Sequence, residues 1–353
     1  MPYNFYAGPC KLPESVIERI RNEFTDYRGS GMSVMEISHR AQPVLDLLER
    51  TQEKIRRLMG LAVDDDVLLL QGGGTLQFSM IPMNLSAAGE PVDYIDSGYW
   101  AAKAIEAARQ LERDVHVAGK AHDTIPTALD IRADARYLHV CTNNTVMGTQ
   151  WQGIPKSPVP LVADMSSDIL SRNIDTGRFA LIYAHAQKTI GAAGVTVVIV
   201  PRKTQEMIQP GLPSFFDYRT HIDAGSNHHT PPVFAIYVVE CMLDWLEKEI
   251  GGLDTMETLN RQKAGLLYKT LDASTLFHCP VPSKSRSMMN VVFDTVNPKI
   301  VPIFNQKAEE AGLLGLQGHR SRGGFRASLY NAVTPEEVET LAGFITDFEH
   351  CYG

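Results

Sequence analysis

The sequence predicts an α/β protein whose larger domain is built on a mostly parallel sheet of seven strands. Two observations lead to this prediction: seven short, nearly continuous apolar runs, and segments of helical spacing between them. Strands that are apolar on both faces are typical of parallel sheets covered by helices on either side. After residue 260 the pattern of apolar runs and helical segments changes, which predicts a smaller α/β domain at the carboxyl end.

The seven apolar runs are bounded by polar or glycine-containing turns, as buried strands are. They lie at 67–70, 92–95, 115–118, 137–141, 161–163, 180–183 and 195–200. Before them, segment 44–58 has apolar residues at helical spacing and stops at Gly60, a residue suited to end a helix. Helical patterns over 233–249 and 254–271 follow the last run.

The carboxyl-terminal part also contains predicted strands and helices, but fewer of them. Its predicted strands lie at 289–294 and 325–330, and its predicted helices at 300–312 and 334–349. We therefore predict a large domain over 16–260. The small domain is predicted over 261–353 and also takes in residues 1–15.

Composition and charge limit the classes of partner. The chain has 353 residues, of which 44% are hydrophobic and 21% charged, an ordinary globular balance. Lys and Arg number 33 against 41 Asp and Glu, so the formal net charge is −8. Sequence-independent binding of nucleic acid needs a basic surface, and we expect no nucleic-acid partner. A small anion depends only on the local field and is not excluded.

Cysteine usage and the absence of long apolar runs favour a cytoplasmic protein. The cysteines are odd in number and widely spaced, with no C-x-x-C, so neither a disulfide framework nor a metal site is expected. They are Cys10, Cys141, Cys241, Cys279 and Cys351. The first residues lack the basic and apolar regions of a signal peptide, and run 195–200 is too short to cross a membrane.

A glycine turn joins the first strand to a helix. Residues 71–75 read QGGGT, and the helix that follows would offer free N–H groups to a phosphate at its amino end. The turn matches neither the dinucleotide fingerprint nor the P-loop motif. A simple tight turn explains it equally well.

Two charged residues follow neighbouring strands of the predicted sheet. Asp164 comes directly after run 161–163, and Lys188 lies between runs 180–183 and 195–200. Ligands bind outside the carboxyl ends of parallel strands, and a desolvated lysine can form a Schiff base. Taken singly, Asp164 could be a helix cap and Lys188 a surface lysine. Their joint position favours one shared ligand.

An aromatic residue and two cationic stretches complete the candidates. Trp100 follows the strand ending at 95 and could stack on a flat ring or lie in the core. His39 and Arg40 form one cationic pair, and segment 318–326, GHRSRGGFR, holds a His and three Arg without an acid. Arginine binds carboxylate and phosphate in a bidentate way, although such runs are often solvated loops.

Several stretches strongly resemble the phosphoserine aminotransferase family of class V, fold-type I pyridoxal-phosphate enzymes. They cover residues 4 to 332, and the run at 31–40 is the most specific. The stretches are NFYAGP at 4–9, GMSVMEISHR at 31–40, LQGGGTLQF at 70–78, VADMSS at 162–167, AQK at 186–188, TPP at 230–232 and FRASLYNA at 325–332.

The resemblance implies pyridoxal 5'-phosphate as cofactor and a role for each matching residue. Lys188 would form the Schiff base and then move a proton, while Asp164 would pair with the protonated ring nitrogen. Trp100 would stack on the ring and Thr145 would bind near its hydroxyl. The cofactor phosphate would be held by Gly74, Thr75 and Gln187, with His229 and Thr230 contributed by the neighbouring subunit of a homodimer.

For the substrates, the resemblance implies transfer of an amino group from L-glutamate to 3-phosphohydroxypyruvate in serine biosynthesis. Arg326 would hold the α-carboxylate common to both. The distant carboxylate or phosphate would be held by His39, Arg40, His319 and Arg320. Use of the related phosphorylated acid of pyridoxine biosynthesis is left open.

Two positions depart from the family pattern, and alternatives remain. His229 stands where asparagine is usual, and His185 where glycine is usual. Other class V enzymes are the nearest alternative, including a cysteine desulfurase, for which Cys141 is the thiol to check. A dinucleotide-dependent oxidoreductase would leave Lys188 and Asp164 without a joint role. A binding protein without catalytic activity would not need Lys188.

Overall fold

The apolar runs form one sheet, and helices cover both of its faces. The structure, a computed structural model, describes residues 2–353. Its strands are β1 Tyr3–Asn4, β2 Asp66–Leu70, β3 Pro91–Asp96, β4 Asp114–Lys120, β5 Leu138–Cys141, β6 Asn143–Asn144, β7 Thr149–Gln150, β8 Leu161–Asp164, β9 Phe179–His185, β10 Thr196–Val200, β11 Phe277–His278, β12 Asn290–Thr295, β13 Leu313–Leu314 and β14 Phe325–Ser328.

The helices fill the intervals between strands, as the spacing of apolar residues predicts. They are α1 Glu14–Glu23, α2 Gln42–Leu58, α3 Gly73–Leu85, α4 Tyr99–Gln110, α5 Ala186–Thr189, α6 Arg202–Gln205, α7 Tyr218–Asp223, α8 Val233–Lys248, α9 Leu253–Ala273, α10 Val301–Glu310 and α11 Pro335–Tyr352. Residues 44–58 lie within α2, and α8 and α9 contain almost all of the two long patterns predicted after the last apolar run.

The seven predicted strands form a sheet in the order β2-β10-β9-β8-β5-β3-β4. Strands β4, β3, β5, β8 and β9 are parallel, whereas β10 is antiparallel to both of its neighbours. A parallel crossover needs roughly a dozen residues or more. Segment 186–195 between β9 and β10 contains little beyond α5, so the chain reverses direction there. The mostly parallel α/β prediction is confirmed.

Alternate residues of the strands supply two separate cores. On one face, residues such as Leu69, Val140 and Ile182 pack with helices α2 and α8. On the other face, residues such as Leu70 and Tyr183 pack with α3 and α4. This two-sided burial explains why the strands are apolar throughout.

A second sheet, in the order β11-β12-β14, packs with α9, α10 and α11 around a third core. Phe5, from the amino-terminal segment, is fully buried in this core. Helix α9 is continuous across position 260/261. The division into domains at that position therefore stays a proposal.

No helix within residues 2–353 is long and apolar enough to cross a membrane. In the same residues, no group of three or more His, Cys, Asp and Glu side chains is arranged to hold a metal ion.

Glu240 of α8 is fully buried and binds three cations. Arg28 Nη2, Arg50 Nε and Lys54 Nζ lie 3.1, 2.8 and 3.2 Å from its carboxylate oxygens. Burial alone would raise the pKa of Glu240, but the hydrogen bond from Arg50 and the charge of Lys54 lower it below its ordinary value. The network joins α8 to α2 and to the segment that leads to His39.

Replacing Glu240 with glutamine should lower the free energy of unfolding by roughly 2 kcal/mol or more, because Arg28 and Arg50 lose their carboxylate partner and Lys54 keeps only Asp244. The folded-state pKa of Glu240 lies below its unfolded value, near 4.5. Its contribution is therefore present above that value and disappears as pH falls through the folded-state pKa. Urea unfolding of wild type and variant between pH 7 and pH 3 measures this difference. The exposed Glu53→Gln on α2 is the control, and an equal loss in both variants would contradict the prediction.

Candidate active site

Neighbouring parallel strands bring the site together at their carboxyl ends. Asp164 ends β8, where it lies beside Cys141 of β5 and Tyr183 of β9. Lys188 lies three residues after the end of β9, within α5. The carboxyl edge of an open parallel sheet is where ligands bind in such folds, so the residue pair predicted from the sequence meets there.

Asp164, Lys188 and Cys141 line a cavity of about 400 Å³. The cavity brings together most of the predicted cofactor residues and two of the predicted substrate residues. They are Thr75, Trp100, Thr145, Asp164, Gln187, Lys188, His319 and Arg326.

Lys188 has an amine suited to act as a base or nucleophile. Burial lowers its pKa, and the negative charge of Asp164 offsets only part of that effect. The Nζ atom lies 5.8 Å from the centroid of the Trp100 ring. The backbone carbonyl of Lys188 accepts a hydrogen bond from the thiol of Cys10, which fixes this turn to the amino-terminal segment.

Asp164 lines the cavity and is held in place by the backbone. Its Oδ1 accepts a hydrogen bond from the backbone N–H of Ser166 at 2.9 Å. Its neighbour across the strands, Tyr183, has its hydroxyl 3.0 Å from Nε2 of His139, which is itself buried. Burial lowers the pKa of His139 to about 4, so its ring is neutral near pH 7.

Trp100, Thr145 and Arg326 form a connected wall. Trp100 Nε1 donates to Thr145 Oγ1 at 3.3 Å, and Arg326 Nη1 donates to the Thr145 carbonyl at 2.9 Å. Arg326 lies on β14, opposite Val292 of β12. Its Nε is buried without a hydrogen-bond partner in residues 2–353. A buried guanidinium nitrogen left unpaired is costly, and an anion in the cavity would satisfy it.

The glycine turn approaches the cavity through His185. Gly72 has φ of +87°, a left-handed conformation that lets the chain turn from β2 into α3. The backbone N–H of Gly74, predicted to bind the cofactor phosphate, lies 3.1 Å from Nε2 of His185. Gln187 also contacts this ring, with its Nε2 3.4 Å from Nδ1.

The cationic residues of segment 318–326 lie in three different surroundings. His319 lines the cavity, and its Nδ1 accepts a hydrogen bond from the Ser321 N–H at 3.2 Å. Arg320 lines an adjoining cleft that His319 and Arg326 also line. Arg322, for which no role was predicted, forms a two-pronged ion pair with Asp294 at 3.0 and 2.7 Å.

Six predicted residues do not line the cavity within one chain. Gly74 and Arg320 lie next to it, whereas the other four lie elsewhere: His39, Arg40, His229 and Thr230. His39 and Thr230 instead line an open cleft, with Nδ1 of His39 3.4 Å from the Thr230 hydroxyl. Both ring nitrogens of His229 are buried without a partner in the described part of the chain. Burial and the neighbouring His228 lower the pKa of His229.

Other cavity residues were not predicted from the sequence: Ala7, Gly8, Phe78, Asn143, Ser166 and Ser167. Asn143 donates to Ser167 Oγ at 2.8 Å and to Asn290 Oδ1 at 2.8 Å, which joins the large sheet to β12. Two of these residues could have been found from the sequence, because a polar residue shortly after a buried strand is a signal for a site. Asn143 lies two residues after β5, and Ser166 lies two residues after β8.

Cys141 lacks the properties that a desulfurase nucleophile needs. It lies at the end of β5, inside the sheet, and is only 6% exposed. Burial raises the pKa of its thiol well above the ordinary value, and the charge of Asp164 adds to the effect. A nucleophilic thiol has a lowered pKa and an accessible position, so the desulfurase alternative loses its candidate residue.

The fold and the lysine–aspartate cavity agree with a family match over nearly the whole chain. The family model described as Aminotransferase class-V matches residues 2–341. The chain belongs to the class V aminotransferases, and the family predicted from the sequence motifs is confirmed.

Within this family, the chain is similar to several proteins named phosphoserine aminotransferase. A phosphoserine aminotransferase of Desulfosudis oleivorans is 44% identical over 99% of both chains. The solved phosphoserine aminotransferase of Bacillus circulans subsp. alkalophilus superposes with a TM-score of 0.97, is 41% identical, and is matched over 100% of this chain and 99% of its own. The solved enzyme of Trichomonas vaginalis has a TM-score of 0.93 and 35% identity over 98% of this chain and 100% of its own.

Proposed function

We propose that this chain transfers the amino group of L-glutamate to 3-phosphohydroxypyruvate, with pyridoxal 5'-phosphate as cofactor. The products are 2-oxoglutarate and O-phospho-L-serine. The observation that carries the proposal is one cavity lined by Lys188, Asp164, Trp100 and Arg326. The activity named for the relatives of 44% and 41% identity supports the choice of substrates.

The residues of the cavity fit the cofactor. Pyridoxal phosphate needs an amine to hold its carbonyl carbon, an acid beside its ring nitrogen and donors for its phosphate. Lys188 supplies an amine whose pKa is lowered by burial, and Asp164 supplies the acid. Trp100 supplies a flat face, and Gly74, with Gln187, supplies N–H donors. The Trichomonas vaginalis relative was solved with pyridoxal phosphate bound.

Each residue then has a chemical task. When bound, pyridoxal phosphate supplies a carbonyl carbon for the amino group and a ring that withdraws electrons. Lys188, whose pKa is lowered by burial, would take a proton from the substrate α-carbon and pass it to the cofactor carbon that carries the nitrogen. In the second half-reaction the same amine would move a proton in the opposite direction. Asp164, fixed by the Ser166 N–H, keeps a proton on the ring nitrogen.

Cationic groups select doubly anionic substrates. Arg326 holds the α-carboxylate that glutamate and 3-phosphohydroxypyruvate share, which would give its unpaired Nε an acceptor. His319 accepts from the Ser321 N–H through Nδ1, so its proton lies on Nε2 and can be donated. With Arg320, it holds the far carboxylate or phosphate. An acceptor without a far anion leaves these cations unpaired and binds weakly.

A homodimer with shared sites accounts for four of the residues outside the cavity. They lie on segments 39–40 and 229–230, whose cleft is lined by Met35 and Phe234. Met35 is 52% exposed and Met32 is 47% exposed, unusual values for apolar side chains so close together. A second copy covering this surface would bring its own segments to the cavity of its partner.

Pyridoxal phosphate should produce a visible absorption band with the purified protein, and glutamate should convert that band to one at shorter wavelength. Lys188→Ala should remove the band at neutral pH, because the amine that binds the carbonyl is absent. Borohydride reduction followed by mass spectrometry should find the cofactor on Lys188. The surface variant Lys269→Ala is the control. A protein that stays colourless with excess cofactor would contradict the proposed function.

Arg320→Ala should raise KM for 3-phosphohydroxypyruvate and for glutamate roughly tenfold, because each loses a charged hydrogen bond. The rate with pyruvate, which lacks a far anion, should be low and little changed. Steady-state kinetics with both acceptors measures this, and Arg109→Ala on the exposed side of α4 is the matched control. Equal rates of wild type with the two acceptors would remove the case for phosphate selection.

A mixture of two inactive variants should recover activity if the sites are shared. Lys188→Ala and Arg40→Ala each damage both sites of their own dimers. In a mixed dimer, one site keeps an intact Lys188 and an intact Arg40 from the other chain. After unfolding and refolding of an equal mixture, about one quarter of wild-type activity should return. No recovery in a mixture that does form mixed dimers would place both residues in one chain.

A further inference from the structure

Asn290 of β12 is fully buried, and both polar atoms of its side chain are hydrogen-bonded. Its Oδ1 accepts from Nδ2 of Asn143 at 2.8 Å. Its Nδ2 donates to Ser328 Oγ at 3.0 Å and to the Tyr330 hydroxyl at 3.2 Å. This one amide therefore joins the small sheet to segment 143–148, which follows β5 of the large sheet.

The register of the small sheet relates Asn290 to Arg326. Asn290 lies opposite Ser328 of β14, and Val292 lies opposite Arg326. Residues two apart on a strand point to the same face of a sheet, so Ser328 and Arg326 share a face. The hydrogen bond from Asn290 to Ser328 places the amide on that face as well. The amide and the guanidinium are thus neighbouring groups on one surface of the small sheet.

Segment 143–148 contacts this surface at two polar points. Asn143 bonds to Asn290, and two residues later the Thr145 carbonyl accepts from Nη1 of Arg326 at 2.9 Å. At Gly148 the segment lies so close to β12 that a Cβ atom would be 2.9 Å from the nearest side-chain atom. Asn143, Thr145 and Arg326 all line the cavity. The Asn290 amide therefore fixes the cavity wall against which the guanidinium is held.

On the side of the large sheet, Asn143 is fixed near Asp164. Its Nδ2 donates to Ser167 Oγ at 2.8 Å, and the Ser167 hydroxyl donates to the Asn143 carbonyl at 2.9 Å. Ser167 follows Asp164 by three residues and lines the same cavity. A continuous path of hydrogen bonds therefore runs from the turn after Asp164, through Asn143 and Asn290, to the strand that carries Arg326.

We propose that Asn290 is a positioning residue, which holds the guanidinium of Arg326 at the distance from Lys188 and Asp164 that substrate binding requires. The inference rests on the proposed function, since Arg326 is there assigned to the substrate α-carboxylate. Asn290 does not itself line the cavity, so it acts through the groups that it holds. Such a residue matters because a displacement of about 1 Å at a binding group can cost about 100-fold in rate.

Steady-state kinetics of Asn290→Ala test this role. KM should rise roughly tenfold for glutamate and for 3-phosphohydroxypyruvate, while kcat changes less than about twofold, because a lost uniform binding contact raises KM alone. The value of kcat/KM for pyruvate should fall by the same factor, since pyruvate carries the same carboxylate. Arg320→Ala, in contrast, should spare pyruvate. The dissociation constant of pyridoxal phosphate, from absorbance titration of the cofactor-free protein, should stay near the wild-type value.

Asn84→Ala is the matched control for lost stability. Asn84 lies in α3, is as fully buried as Asn290, and its side chain also makes three hydrogen bonds. Its Nδ2 donates to the carbonyls of Met80 and Phe216 at 2.8 and 2.7 Å, and its Oδ1 accepts from the Tyr218 N–H at 3.0 Å. This variant should lower the thermal midpoint much as Asn290→Ala does, but it should leave every KM unchanged.

If Asn290→Ala does not fold, Asn290→Ser gives the same comparison, because its shorter side chain keeps a hydroxyl opposite Ser328 and loses the contact with Asn143. A KM no higher than that of Asn84→Ala would overturn the positioning role. A loss restricted to one of the three α-acids, or an equal weakening of pyridoxal phosphate binding, would overturn it too. A wild-type protein that transfers no amino group from glutamate would overturn the proposed function instead.

Discussion

Parallel pairing of β5, β8 and β9 is the constraint on which the site depends. Because the three strands run in one direction, their carboxyl ends meet at one edge, and Cys141, Asp164 and Tyr183 are adjacent there. The chain then continues into α5, which places Lys188 beside Asp164. Slipping β8 by one residue would turn Asp164 to the opposite face of the sheet and separate it from the lysine. The helices on both faces hold this register by burying β5, β8 and β9.

Charge in this protein is organised locally, and the net value of −8 conceals that organisation. Glu240 and Asp294 bind cations that have a structural role, with Arg322 as one example. Arg326 differs because its Nε is buried and has no partner within the described residues. A buried guanidinium N–H without an acceptor, beside a lysine of lowered pKa, is unfavourable for the isolated chain. It suits a site whose ligands carry carboxylate and phosphate groups.

Much of the fold and the centre of the site follow from the linear order of residues. Seven apolar runs identified the seven strands. Asp164 was identified because it directly follows one run, and Lys188 because it lies in the short segment between the last two. The antiparallel direction of β10 was not specified by its composition, since a buried strand reads the same in both directions. Segment 318–326 contains no acid, so its sequence did not show that Arg322 forms an ion pair. Its partner Asp294 comes from β12 and is adjacent only after the small sheet has formed.

Local chemistry was therefore present in the sequence: an α/β pattern, an amine and an acid at strand ends, a glycine turn and the motifs of class V aminotransferases. These features depend on neighbours in the chain, so spacing and residue type are sufficient to recognise them. Long-range contacts decided the rest. The ring of His185 meets Gly74 across 111 residues, and Arg326 meets Thr145 across 181. Such pairs arise from how layers pack in three dimensions, which no local pattern encodes.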